Sequence, residues 1–251
     1  MRENRKQILT GVSVAVFWLC VWQAAAAIVD KPYLFASPAD TLRELFRLLP
    51  GREFWGSILG SLAHIGSGFL LGCLFGIVFA VLSALLRPLR QLLSPALRFL
   101  QSVPVASFVV LALIWFGSGR LAGIIAFTVV FPMIYFAVLK GIERADPGLL
   151  EMARVFRVKP LRTWAKIYTP AVLPYLLTAC MTAVGMAWKS GVAAEIIGLP
   201  ARSIGEKLYE AKIYLNTAEL FAWTGVMILV SLVTEKLVLF LFRKAGEKIG
   251  A

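Results

Sequence analysis

Apolar residues in this chain gather into long, nearly unbroken runs instead of the short alternations that mark a soluble core. A hydrocarbon layer of about 30 Å is crossed by roughly 20 apolar residues in a helix. On that measure the runs predict an all-α, polytopic membrane protein with about six spans, near 8–29, 57–86, 103–117, 121–139, 171–199 and 220–242. The first run, Ile8 to Val29, follows a basic start and reaches Ala24 to Ala27, the outline of a cleavable signal peptide. At 22 residues it exceeds the usual apolar core of about 7–15, so it reads as a retained span. Between the first two runs, Leu42, Leu45, Phe46 and Leu49 recur at helical spacing while Arg43, Glu44 and Arg47 fall elsewhere. That pattern predicts a short amphipathic helix from Ala39 to Leu49 at the membrane surface.

Proline and glycine refine the picture. Arg87-Pro88-Leu89-Arg90 reads as a turn, and Pro95 and Pro104 interrupt the apolar stretch that ends at Trp115-Phe116-Gly117. Proline lacks the amide that continues a helix ladder, so the third span is expected to follow an interfacial helix and to start or kink near Pro104. Pro132 falls inside the fourth span, and residues 200–217 read as a polar connector. Gly68, Gly72 and Gly76 recur every four residues, the spacing that lets two membrane helices approach closely. They read as a packing device.

Composition then sets the class. Hydrophobic residues make up 59% of 251 and charged residues 16%, against about 45–50% and 25% in soluble domains. A net charge of +12 does not point to nucleic acid, because the basic residues sit in clusters between spans. With the N-terminus inside, 17 of the 26 Lys and Arg fall on the cytoplasmic pieces, including Arg2, Arg5, Lys6, Arg87, Arg90, Arg98, Arg243 and Lys248, and 8 on the outer ones. The bias places both termini in the cytoplasm. Cys20, Cys73 and Cys180 stand apart in apolar runs and read as buried thiols; no CxxC pair or other metal-ligand spacing occurs. No GxxxxGK[ST] phosphate loop occurs either, and one His with no HExxH or paired carboxylates argues against a membrane-embedded enzyme.

The segment 143–166 is hydrophilic and charged, yet Leu149, Leu150, Met152, Val155, Phe156, Val158 and Trp164 give it more apolar surface than a free connector needs. Such a patch rimmed by charge marks a protein contact. Glu151 to Phe156 is expected to form a short helix with Glu151 near its start, where the dipole favours a negative charge; Lys159-Pro160 ends it. This segment resembles the coupling motif of ABC importer permeases: EAA, three residues, Gly, nine residues, I-x-L-P. Glu151-Met152-Ala153 stands at the EAA positions and Ile167-Tyr168-Thr169-Pro170 at the ending, while Arg157 replaces the glycine and Thr169 the leucine. Phe35-Ala36-Ser37-Pro38, Ser102-Val103-Pro104, Trp115-Phe116-Gly117 and Ala194-Glu195 look like the nitrate/sulfonate/taurine-type subfamily, with His64 where that subfamily carries Arg.

The resemblance implies a type I importer permease fold with a cytoplasmic coupling helix, in a bacterial cytoplasmic (inner) membrane. It implies a second permease copy, two copies of an ATP-binding subunit that holds ATP and Mg, and an extracytoplasmic substrate-binding protein; this chain itself would hold no cofactor. Glu151, Met152, Ala153, Arg154, Phe156 and Arg157 would touch the ATPase, and Ile167 and Pro170 close the motif. The transported solute would be a sulfonate, taurine, nitrate or a vitamin precursor. Lys189 and Glu195 are ionisable residues in the fifth span, which by default marks function. With Trp188, Ser102 and Pro104 they are the candidate pathway residues. Glu195 is expected to reach water at the outer interface, and His64 to pack or bond near a helix end. An autonomous channel or carrier would explain the spans but leaves the apolar coupling segment without a role.

Overall fold

The structure is a computed structural model that describes residues 2–249; at 2–9, 242–243 and 245–249 only the backbone is described. The basic side chains of Arg2, Arg5, Lys6, Arg243 and Lys248, used above for orientation, lie outside the described residues. Every regular element is helical: α1 Arg2–Val29, α2 Pro38–Leu48, α3 Arg52–Leu85, α4 Arg87–Ser102, α5 Val105–Phe116, α6 Ser118–Glu143, α7 Pro147–Val155, α8 Pro160–Thr163, α9 Thr169–Gly198, α10 Ile204–Ile213 and α11 Thr217–Ile249. Among the described residues five stretches are long and apolar enough to cross a membrane, and the pair α4 and α5 forms a sixth only if counted together.

That pair has the break expected near Pro104, at the junction of α4 and α5. Helix α5 has 12 residues, about 18 Å at 1.5 Å each, too short to cross alone. It meets α4 at 104°, because Pro104 has no amide to continue the ladder. The proposed turn at Arg87 to Arg90 is instead the first turn of α4, with Pro88 at a position whose amide is unbonded anyway, and Pro95 stays inside the helix. The polar connector 200–217 contains a helix, α10, that the apolar pattern did not predict. Helix α3 begins at Arg52, ahead of the predicted 57, and α9 runs on from α8, so that Pro160–Gly198 is one rod of 39 residues.

The core is a three-helix seam. On α3, a Cβ at Gly68 would strike the Gly123 carbonyl oxygen, one at Gly72 would lie 2.8 Å from Val130 Cβ, and one at Gly76 2.8 Å from Ile134 Cβ. All three therefore face α6 at backbone contact distance. Helix α9 closes on α6 through Gly141 against Val172 and Gly198 against Leu121. Cys73 and Cys180 are buried within this core, whereas Cys20 is exposed on α1, contrary to the expectation of three buried thiols. Helix α2 starts on Ser37, whose Oγ accepts the Asp40 amide at 3.2 Å, and packs against α11.

Candidate functional site

The coupling segment is built on a capped nine-residue helix. Asp146 Oδ1 accepts the Gly148 amide at 2.7 Å, and Pro147 opens α7. Glu151 is thus mid-helix, and Asp146 holds the place at the helix start that was expected of Glu151. The helix stops because Arg157 adopts a left-handed conformation, φ +49°. Val158 N–H then reaches Ala153 O at 2.9 Å and Arg157 N–H reaches Arg154 O at 3.1 Å. This double bond pattern is a Schellman cap, which glycine usually provides. The replaced motif glycine therefore leaves the sharp turn intact, with an arginine carrying its backbone strain.

Ala153 is buried and anchors α7, while Glu151, Met152, Arg154, Phe156 and Arg157 point outward. Phe156 is 74% and Leu161 86% exposed, an apolar knob that nothing among the described residues covers. Past α8, Pro170 leaves the Lys166 carbonyl without its usual amide, and the ladder widens to a π turn over Trp164–Tyr168. Thr169 closes it, its Oγ1 donating to Trp164 O at 3.0 Å. Ile167 lies within that turn and Pro170 in the first turn of α9.

The candidate pathway residues separate. Lys189 is exposed on α9 and makes no ion pair among the described residues. It continues a stripe of exposed Thr178, Thr182 and Met186 at helical spacing. Ser102 and Pro104 are exposed at the α4–α5 elbow, beside a cavity of about 320 Å³ lined by Gln101, Phe108, Thr128, Pro132 and Met186. Trp188 does not join them; it is 2% exposed and belongs to the core.

Glu195 is also displaced from its expected place, being 0% exposed. Ser61 Oγ donates to its Oε2 at 2.7 Å, and the Gly205 amide donates to the same oxygen at 3.1 Å. Ser61 Oγ in turn accepts the Ile204 amide at 2.8 Å, and Ser203 Oγ accepts that of Glu206 at 3.0 Å. The first three amides of α10 are thus satisfied by α3, α9 and the helix cap, which answers the orphan donors every helix start presents. Gly205 allows this approach, since a Cβ there would collide with Glu195. Ser61 and Gly205 were not singled out from sequence; their role depends on contacts 134 and 10 residues away. His64 lies in the middle of α3, with Nδ1 enclosed and unbonded, not near a helix end. Within α10, Lys207 lies 2.9 Å from Glu210 and 3.5 Å from Glu53. Partial burial pulls its ammonium pKa down, but Glu210, Glu53 and Glu206 outweigh this and leave it raised.

A helical bundle with an elbowed helix pair, a capped surface helix and an apolar knob left open among the described residues is the architecture of a polytopic membrane protein with a docking surface. Residues 72–247 match the family of the binding-protein-dependent transport system inner membrane component, and the chain belongs to that family. It is the multi-pass permease subunit of an ABC importer. Among its relatives, SsuC of Bacillus subtilis, a permease protein named for aliphatic sulfonates transport, is 27% identical over 94% of this chain and 86% of its own length. The bicarbonate transport system permease protein CmpB of Synechococcus elongatus is 31% identical over 63% of this chain and 57% of its own. The same fold recurs in an alginate importer, TM-score 0.62 at 14% identity over 99% of this chain and 98% of that one. An amino acid transporter gives 0.61 at 16% identity over 82% and 97%.

Proposed function

We propose that two copies of this chain form the translocation pathway for a small anionic solute of the sulfonate, nitrate or bicarbonate class, in a bacterial cytoplasmic membrane with both termini inside. The solute comes from an extracytoplasmic binding protein. Each copy presses α7 into a separate ATPase subunit, which holds ATP and Mg. Phe156, exposed at the C-terminal cap of α7, and Leu161, exposed on α8, carry the coupling reading, because neighbouring exposed apolar side chains rimmed by charge mark a protein contact. Lys189 supports the anion. A lone cation on a spanning helix is costly unless it meets a counter-charge or an aqueous pathway, and two relatives are named for anionic solutes.

The test is uptake of labelled sulfonate, nitrate and bicarbonate by liposomes holding the complete importer. ATP-dependent uptake of one of them is expected, with Phe156→Ser abolishing the ATP dependence while leaving the folded chain in the membrane. Lys189→Gln is expected to lower uptake of the preferred anion at least tenfold, the loss of one charge contact of about 1.4 kcal/mol. Equal uptake without any ATPase would refute coupling and favour an autonomous carrier.

A further inference from the structure

Helix α4 carries a polar arc that its packing uses only in part, through Arg90, Arg98 and Ser94, whose Oγ lies 3.2 Å from the Tyr135 hydroxyl. At about 100° per residue, Arg87, Arg90, Gln91, Ser94 and Arg98 share roughly a third of its circumference. The remaining apolar arc splits in two. Leu93, Leu97 and Leu100 pack into the core, while Leu92 and Phe99 point away from it, each 72% exposed. The helix contains no acidic residue. Arg90 pairs with Glu143, the last residue of α6, and Arg98 lies over the Phe136 ring at 5.8 Å. Arg87 makes no ion pair among the described residues. Between these side chains lies an open cleft of about 630 Å³ lined by Arg87, Arg90, Gln91, Ser94, Pro95 and Arg98.

The elbow fixes how this helix lies. With α5 packed within the bundle against α6 and α9, a bend of 104° sets α4 close to the membrane plane. Its pairing with Glu143 places it at the coupling end of the bundle. A helix in that plane with an arginine arc on one side and Leu and Phe on the other has the composition of an interfacial anchor. We infer that α4 binds anionic phospholipid, its arginine cleft holding the headgroup phosphate while Leu92 and Phe99 enter the acyl chains. Charge selects this occupant over a second copy packed α4 against α4, since that pairing would set the same arginines against themselves.

The test is native mass spectrometry of the full-length chain in detergent, titrated with phosphatidylglycerol, phosphatidylcholine or soluble glycerol phosphate. Preferential retention of phosphatidylglycerol is expected. Each arginine facing an anionic surface contributes about fivefold in affinity, so Arg87→Gln with Arg98→Gln lowers the preference by about 25-fold. Arg87→Lys with Arg98→Lys, which keeps the charge, retains most of it and excludes a folding defect. Equal retention of the two lipids, or an unchanged preference in the glutamine variant, overturns the inference. Competition by glycerol phosphate at the lipid's own concentration would make this a soluble-phosphate site instead. A glutamine variant that alters only the dimer fraction would assign the face to a second copy; either result also overturns it.

Discussion

Two glycine-to-alanine changes on the same helix are expected to shift stability in opposite directions. Gly66 and Gly72 both lie inside α3, where alanine is favoured over glycine by about 1 kcal/mol through backbone entropy. A Cβ at Gly66 meets nothing within 4 Å, so Gly66→Ala keeps that whole gain. At Gly72 the new methyl lies 2.8 Å from Val130 Cβ and 3.2 Å from the Phe131 amide nitrogen. Restoring ordinary contact at about 3.4 Å parts α3 from α6 by roughly 0.6 Å, enough to forfeit a quarter or more of each dispersion contact along the seam. Overpacking of this kind costs about 1–3 kcal/mol, which exceeds the propensity gain and leaves a net loss of about 1 kcal/mol. Gly68→Ala is worse, because the obstacle is the Gly123 carbonyl, which cannot rotate away. At about 2–4 °C per kcal/mol for a chain of this size, thermal unfolding in detergent should rank Gly66→Ala above the wild type. Gly72→Ala should lie below it and Gly68→Ala lowest. If Gly68→Ala or Gly72→Ala raised Tm as Gly66→Ala does, the glycine seam would not be what sets the α3–α6 distance.

Three further outcomes follow from the geometry. Arg157→Gly relieves the left-handed strain at the Schellman cap and should slow exchange of the Val158 amide by about tenfold, the equivalent of about 1.4 kcal/mol; Arg157→Val should speed it. Glu195→Ala strands the Ser61 hydroxyl and the Gly205 amide in the interior, a cost of about 1–3 kcal/mol each, whereas Glu195→Gln keeps an acceptor for both; chemical denaturation should separate the two variants clearly. The raised pKa of Lys207 means its ion pairs stabilise the fold below the ordinary lysine value of 10.5 and are lost as pH rises through the raised one. Lys207→Gln should therefore lower Tm at pH 8, with the difference shrinking above pH 11.

How much of this was legible in the sequence depended on the solvent each residue meets. Spans were readable because lipid demands long apolar runs, and the glycine seam because close approach demands an i, i+4 repeat. Helix α10 was missed although Ser203 and Glu206 stand three apart, the outline of a capping box; hydropathy masked it, since a short polar helix carries no apolar run. Glu195 was misplaced for a different reason. A carboxylate near a helix end reads as reaching water, and only the arrival of Ser61 and Gly205 from other elements shows where its hydrogen bonds go. The turn at Arg157 is not legible from residue type, because sequence reports a preference for glycine and not whether a neighbouring bond network can hold an arginine in the same conformation.

These contacts also divide the molecule into stiff and deformable parts. Helices α3, α6 and α9 are joined by glycine contacts along their length, and the rod Pro160–Gly198 carries 39 residues, about 58 Å, from the coupling segment to Glu195. At that far end Glu195 and Ser61 tie α9 to both α3 and α10 through buried hydrogen bonds. A push on α7 or α8 therefore moves this unit nearly as one body, because sliding its helices past one another would break the seam and strand those donors. The α4–α5 elbow is tied to that unit through side chains, Arg90 with Glu143 and Ser94 with Tyr135, and not through a glycine seam. Its short α5 meets α4 across the Val103–Pro104 break, beside the cavity lined by Gln101, Thr128 and Met186. On the coupling reading, that elbow is where a displacement of the stiff unit changes the shape of the pathway, because the helix ladder is interrupted there and nowhere else between α4 and α5.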